Sequence, residues 1–237
     1  MELFIATIIV LVAYFVKGFS GFGPALIMVP FFALLFDPST AIVTAALLDF
    51  IAGVMLIFQI WRKIDWRFVM PIAALMATGA IIGVHLLDTL PIDFTRRFMG
   101  LMIAVFAFFI LFQKNSEPKP DKYEQLKYPV SFFSGLLGGL LSISGPPIVI
   151  YMKLRYAKTF FRSQLIAIFL IGSAWRFFLY QLTSIPIKFS FFQLLLLIPP
   201  LILGLLLGSK VHVNVSEKTF NRAIALIIVV AGIKLLF

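Results

Sequence analysis

Residues 68–87 and 189–209 contain no Asp, Glu, Lys or Arg, and residues 41–60 contain only one, Asp49. An apolar stretch of about twenty residues is what a helix needs to cross the hydrocarbon core of a bilayer. Several such runs in one chain predict an all-α polytopic membrane protein. The composition agrees: 62% of residues are apolar and 13% are charged, well outside the range of soluble domains. A chain of 237 residues has room for about six to eight spans and for no extramembrane domain. The N-terminus, Met1-Glu2-Leu3, lacks a basic region and a small-residue cleavage site, so it is read as a first membrane segment and not as a removable signal.

The formal charge of +10 does not point to nucleic acid, because no basic helix or aromatic-interleaved patch lies outside the apolar runs. Lys and Arg gather in the short connections, where they orient the spans and face anionic lipid. The absence of cysteine excludes disulfides, thiolate chemistry and Cys-ligated metals. His85 and His212 are scattered and no His/Asp/Glu cluster has ligand spacing, so neither a metal nor a cofactor is expected.

Two apolar segments are interrupted. The first break is Gly18-Phe19-Ser20-Gly21-Phe22-Gly23-Pro24, and the second is Gly138-Gly139-Leu140-Leu141-Ser142-Ile143-Ser144-Gly145-Pro146-Pro147. Neither run can continue as a regular helix, because glycine is costly there and proline lacks an N–H and clashes with the preceding turn. Irregular backbone at membrane depth persists only inside protein or against a wet cavity. Paired breaks in matching halves point to a transporter's binding site.

The first break divides half-segments at 3–16 and 25–36, each about half the length of a span. Asp37-Pro38-Ser39-Thr40 then starts a helix, with Ser39 or Thr40 as expected N-cap. Spans follow at 41–60, 68–87 and 98–113. After the polar stretch 114–127, a broken segment runs over 129–152, with spans at 163–182, 189–209 and 220–236. The domain reading is a first repeat at 1–113, a polar linker at 114–127 and a second repeat at 128–237. Ser20-x-x-Gly23-Pro24 aligns with Ser142-x-x-Gly145-Pro146, Gly79/Gly83 with Gly204/Gly208, and Arg97 with Arg222. Such an ordered internal match indicates duplication. If each broken segment is a single kinked span, the repeats are parallel and the basic loop 153–162 falls outside. If each is a re-entrant hairpin, the second repeat is inverted and the linker and basic loops lie inside. The positive-inside tendency favours the inverted arrangement.

These paired glycine–proline signatures, the fourfold segment pattern of each half and the polar mid-chain linker resemble the sulfite exporter TauE/SafE (TSUP) family over the whole chain. Ser142-Ile143-Ser144-Gly145-Pro146-Pro147 is similar to a variant signature of that family, whereas neither half has a full glycine triplet. The resemblance implies a secondary transporter of the bacterial inner membrane, with its linker cytoplasmic, that exports sulfite, a sulfonate or a related organic anion. It also leaves room for a homodimer.

On this reading the substrate is held between the two broken hairpins. The candidate binding residues are Lys17, Ser20, Gly21, Gly23 and Pro24 at the first break, and Ser142, Ser144, Gly145 and Pro146 at the second, with Arg176 from span 163–182. A proline opening a half-helix sits where its missing N–H is not needed, and the N–H groups after it can face an oxyanion. The bland alternative is that the breaks are only packing corners. Lys17, an intramembrane cation, is a site candidate by default, against the alternative that it snorkels to a headgroup. The planar fork of Arg176 suits a sulfonate or carboxylate, against the alternative of a structural pair with Asp49. Asp49 is expected either to hold a cation in place or to carry a proton. Trp61, Trp66 and Tyr128 are expected at the interface. No nucleophile–base pair or carboxylate cluster supports an enzyme, and an accessory membrane subunit is the remaining alternative.

Overall fold

In the computed structural model, residues 1–112, 124–156, 158–185, 189–211, 232, 234 and 235 are described. The helices are α1 (Glu2–Ser20), α2 (Pro24–Leu35), α3 (Pro38–Ile60), α4 (Trp66–Thr89), α5 (Ile92–Phe112), α6 (Lys127–Leu141), α7 (Gly145–Arg155), α8 (Lys158–Gln181), α9 (Phe191–Leu196) and α10 (Ile198–Val211). No strand occurs among the described residues. Five stretches are long and apolar enough to cross a membrane: Glu2–Ser20, Pro38–Lys63, Trp66–Thr89, Phe160–Gln181 and Phe192–Lys210. The protein is therefore a multi-pass membrane protein. Most of the linker, the expected last span at 220–236, His212 and Arg222 lie outside the described residues, the span but for three of its positions.

Both sequence breaks are real, and they fall between helices. α1 stops at Ser20 and α2 starts at Pro24, while α6 stops at Leu141 and α7 starts at Gly145. The lengths correct the expectation of a half-segment at 3–16, because α1 has 19 residues and reaches roughly 28 Å at 1.5 Å per residue. Lys17 does not end the helix, since its carbonyl accepts the Gly21 N–H at 2.7 Å. The start of α3 also differs from expectation. Asp37, not Ser39 or Thr40, is the cap: its carboxylate accepts the Thr40 N–H at 2.9 Å and the Thr40 hydroxyl at 2.7 Å. Pro38 then occupies the first helical position, where proline belongs.

The helices form two compact units, and each draws on both halves of the sequence. One comprises Met1–Ala45, Leu90–Lys114 and Pro186–Phe237; the other comprises Ala46–Thr89 and Asn115–Ile185. In the first, α1 packs along α10, and α2 packs against α1 and α5. In the second, α4 packs along α6 and α8, with α7 against α6 and α8.

Glycine spacing explains both long pairings. On α4, a Cβ at Gly79 would strike the Phe132 carbonyl oxygen of α6, and one at Gly83 the Leu136 carbonyl oxygen. On α6, Gly135 and Gly139 lie equally close to the Met76 and Ala80 carbonyl oxygens of α4. α10 repeats the device, with Gly204 against Leu11 and Tyr14-Phe15, and Gly208 against the Phe15 carbonyl oxygen. Where lipid is as apolar as the helices, association depends on such close van der Waals approach. The matched glycine pairs thus have the same task in both units.

Two further contacts fix local geometry. Gln164, fully buried, accepts the Asp65 N–H at 2.9 Å and donates to the Lys63 carbonyl at 3.0 Å. It ties the first turns of α8 to the connection between α3 and α4, a role its position near a span end did not announce. Trp61 and Trp66 are 57% and 36% exposed and stack edge to face, as interfacial anchors do. Tyr128 and His85 are exposed as well.

Gly83→Val should force α4 and α6 apart and cost about 1–3 kcal/mol or more, whereas Ala74→Val, on an exposed position of α4, should cost almost nothing. Thermal unfolding of the solubilised protein compares them, and equal midpoints would contradict the packing account. Asp37→Ala should destabilise by about 0.5–2 kcal/mol while Asp37→Asn is tolerated, since the cap needs an acceptor and not a charge; equal loss in both variants would argue against the cap.

Candidate functional site

The two corners solve the same backbone problem with different residues. After α1, Gly21 turns the chain at φ 83°, and Gly23 precedes α2 at φ 88°. These are left-handed conformations that glycine adopts without a Cβ penalty. After α6 the left-handed residue is Ser142, at φ 56°, where a side chain costs roughly 1–2 kcal/mol. By backbone role, Ser142 therefore corresponds to Gly21. The sequence alignment that paired Ser20 with Ser142 is displaced by one residue.

At the first corner the Ser20 hydroxyl holds the turn. It lies 2.8 Å from the Val16 carbonyl and 2.7 Å from the Phe22 carbonyl, and it accepts the Phe22 N–H at 3.3 Å. A hydroxyl has one proton to give, so that of Ser20 is engaged by its own backbone. Lys17 is 2% exposed, with its ammonium 6.0 Å from the Tyr14 ring centroid. Burial to this degree is the opposite of snorkelling. Gly21 and Pro24 are also buried, and Gly23 is half-buried.

At the second corner, groups from α8 converge on the break. Tyr180 donates to the Gly139 carbonyl at 2.7 Å, lies 3.3 Å from that of Gly138, and hydrogen-bonds the Ser142 side chain. Its proton meets the Gly139 carbonyl near the end of α6, whereas the Gly138 carbonyl already accepts the Ser142 N–H at 2.8 Å. One turn earlier, Arg176 Nη1 donates to the Ser144 hydroxyl at 3.2 Å. Ser144 is the N-cap of α7, with Gly145, Pro146 and Pro147 as its first turn. The two prolines remove two of the first-turn N–H donors, so the backbone offers an anion less here than an ordinary helix start does.

Arg176 is 1% exposed. Its Nη2 stands 3.9 Å from Asp49 Oδ2 on α3, close enough for attraction but too far for a hydrogen bond. Its Nε is buried and has no hydrogen-bond partner. The guanidinium is given room by glycine: a Cβ at Gly138 would lie 3.0 Å from Nη1, and one at Gly172 would lie 3.5 Å from it. Trp175, next in the chain, donates to the Ala77 carbonyl at 3.2 Å and fixes this stretch of α8 against α4.

The sequence candidates thus fall into two groups. Ser142, Ser144, Gly145, Pro146, Arg176 and Asp49 belong to one compact unit, whereas Lys17, Ser20, Gly21, Gly23 and Pro24 belong to the other. Arg176, Ser144 and Asp49 are brought together directly. Tyr180 was not singled out from sequence; its signal was a tyrosine one helical turn after Arg176 on the same face. Among the described residues, no cluster of His, Asp or Glu could hold a metal ion.

This chemistry suits reception of a small oxyanion: a buried planar cation with an open edge, hydroxyls beside it and a carboxylate nearby. Neither a curated protein nor a solved structure matches the chain. A family model described as sulfite exporter TauE/SafE matches residues 6–235, essentially from end to end. The chain belongs to the sulfite exporter TauE/SafE family of membrane transporters.

Proposed function

We propose that the protein is a secondary transporter that exports a small sulfur-containing or organic anion, such as sulfite or a sulfonate, by alternating access. The observation that carries this reading is the Arg176 guanidinium, buried to 1% exposure with Nε unpartnered and Asp49 held at 3.9 Å. A purely structural arginine at such depth is expected to close its hydrogen bonds, because a buried unsatisfied donor costs about 1–3 kcal/mol. An oxyanion would take up the open donors. Ser144 and Ser142 place hydroxyls at the same corner, and Gly145 and Pro146 bring the start of α7 to it.

The first corner is a second candidate anion-binding element. Lys17 supplies the charge there, and Gly21, Gly23 and Pro24 bring the start of α2 close without side-chain bulk. Ser20 supports the turn. The two sequence halves are read as inverted repeats, with the linker on the cytoplasmic side of a bacterial inner membrane. A negative-inside potential then favours anion exit by about 2.3 kcal/mol per charge per 100 mV. The family, described as sulfite exporter TauE/SafE, supports this reading.

Arg176→Gln should weaken binding of sulfite or a small sulfonate by about 10- to 100-fold, the effect of losing hydrogen bonds from a charged donor worth roughly 1.5–3 kcal/mol. Lys17→Ala should lower flux as well. The measurement is uptake of labelled sulfite into proteoliposomes, paired with thermal stabilisation by the same anion. Flux that is unchanged in both variants would remove the anion-site assignment.

A further inference from the structure

We infer that the end of the second unit where α4, α6 and α8 begin and α7 stops holds the phosphate of an anionic phospholipid, with Arg155 and Lys127 as its cationic ligands. The three helix starts lie at one level. α4 and α6 run parallel, since Gly79 meets Phe132 and Gly83 meets Leu136 along their contact. Gln164, near the start of α8, bonds the connection that leads into α4. That connection carries Trp61, and Trp66 opens α4; both are exposed enough to meet lipid, which sets this level at the membrane–water boundary. Arg62, Lys63 and Arg67 are exposed beside them. Phospholipid phosphates lie at that depth, and basic pockets between helix ends suit them.

Arg155 closes α7 and is only 8% exposed. Its Nη1 donates to the Tyr151 hydroxyl at 3.2 Å, which leaves the edge formed by Nε and Nη2. Nε is buried with no hydrogen-bond partner among the described residues. Nη2 stands 3.9 Å from a Glu124 carboxylate oxygen, beyond hydrogen-bond range. Glu124 is 75% exposed, and a pair with so solvated a partner is weak. The edge therefore matches two oxygens of a phosphate that displaces Glu124. Aromatic rings line the same place. The Arg155 guanidinium carbon lies 5.4 Å from the Tyr156 ring centroid. Tyr156, Phe68 and Phe160 pack as a triad, with centroids 5.1, 5.5 and 5.2 Å apart, and all three are half-buried. Lys127 Nζ is 5.3 Å from the Phe68 centroid, so the second cation meets the same triad. A dissolved phosphate would use the cations alone. A phospholipid uses the cations for its headgroup and the rings for the first methylenes of its chains, and this pairing of charge with an apolar wall favours the lipid.

The test titrates the full chain, delipidated in an uncharged detergent, with dioleoyl-phosphatidylglycerol, dioleoyl-phosphatidylcholine or inorganic phosphate. Native mass spectrometry counts bound lipid, and the unfolding midpoint is followed in parallel. The wild type should bind the anionic lipid about tenfold more tightly than the zwitterionic one. Inorganic phosphate should neither raise the midpoint nor displace the anionic lipid. Arg155→Gln should cost about tenfold or more in that affinity, and Lys127→Gln about fivefold. Glu124→Gln should tighten the anionic lipid by about two- to fivefold, because a competing carboxylate is gone. Arg62→Gln, an exposed cation at the same level, should change little. Equal affinity for the two lipids overturns the inference, and so does a loss in Arg62→Gln as large as that in Arg155→Gln, which would mean diffuse charge and no site. Displacement of the lipid by inorganic phosphate, with the same variants affected, assigns the place to a dissolved anion and overturns the lipid. Should Arg155→Gln fail to fold, Lys127→Gln and Glu124→Gln decide: affinities unchanged in both reject the site.

Discussion

A guanidinium taken out of water must be met by other polar groups, and the second compact unit is arranged around that requirement. Desolvating an isolated charge costs several kcal/mol even after relaxation. Arg176 is met partly by the Ser144 hydroxyl and partly by Asp49 at a distance that leaves the pair loose. Glycines at 138 and 172 clear space for its head, and Trp175 anchors the helix that carries it. A tighter bridge between Arg176 and Asp49 would make a better strut. On the proposed function, a loose pair would let the cation exchange one negative partner for another without a large barrier.

The same rule governs the backbone. In hydrocarbon, each carbonyl freed by a break must find a donor, and the two corners find theirs differently. The first relies on glycine and on a serine that bonds its own turn. The second places a serine in a left-handed conformation, whose N–H meets the Gly138 carbonyl, and brings in Tyr180 from another helix to meet that of Gly139. The corner that holds the arginine partner is therefore also the one coupled to α8. A shift of α8 would move Arg176 and Tyr180 together, so the contact to Ser144 and the corner geometry share one lever.

Much of this was legible in the sequence, for reasons that can be named. Charges inside apolar runs are rare enough that Asp49 and Arg176 stood out, and their proximity, one of two alternatives read for Arg176, is what the 3.9 Å separation shows. The breaks were plain because glycine and proline interrupt helices by steric necessity. The spacing of Gly79/Gly83 and Gly204/Gly208 announced close packing, though not the partners: each pair serves a helix from the opposite half of the chain, which a local pattern does not encode. Other features stayed hidden because they depend on distant residues. Gln164 meets a connection about a hundred positions earlier, and Tyr180 meets carbonyls some forty positions earlier. The length of α1 was misjudged because the break was read as starting at Gly18, whereas the helix runs on through it to Ser20. The Asp37 cap was available in principle, since a proline at the next position marks the first helical residue and leaves the cap to its predecessor.

The central claim is that the open edge of Arg176 receives the transported anion. Its most direct test is an experimental structure of the lipid-embedded protein with selenite, the selenium analogue of sulfite, located by its anomalous signal. The account predicts selenium density beside Arg176, with ligand oxygens about 3 Å from Nε and Nη2 and the Asp49 carboxylate displaced from Nη2. Selenite bound elsewhere, with Arg176 and Asp49 still facing each other undisturbed, would contradict it.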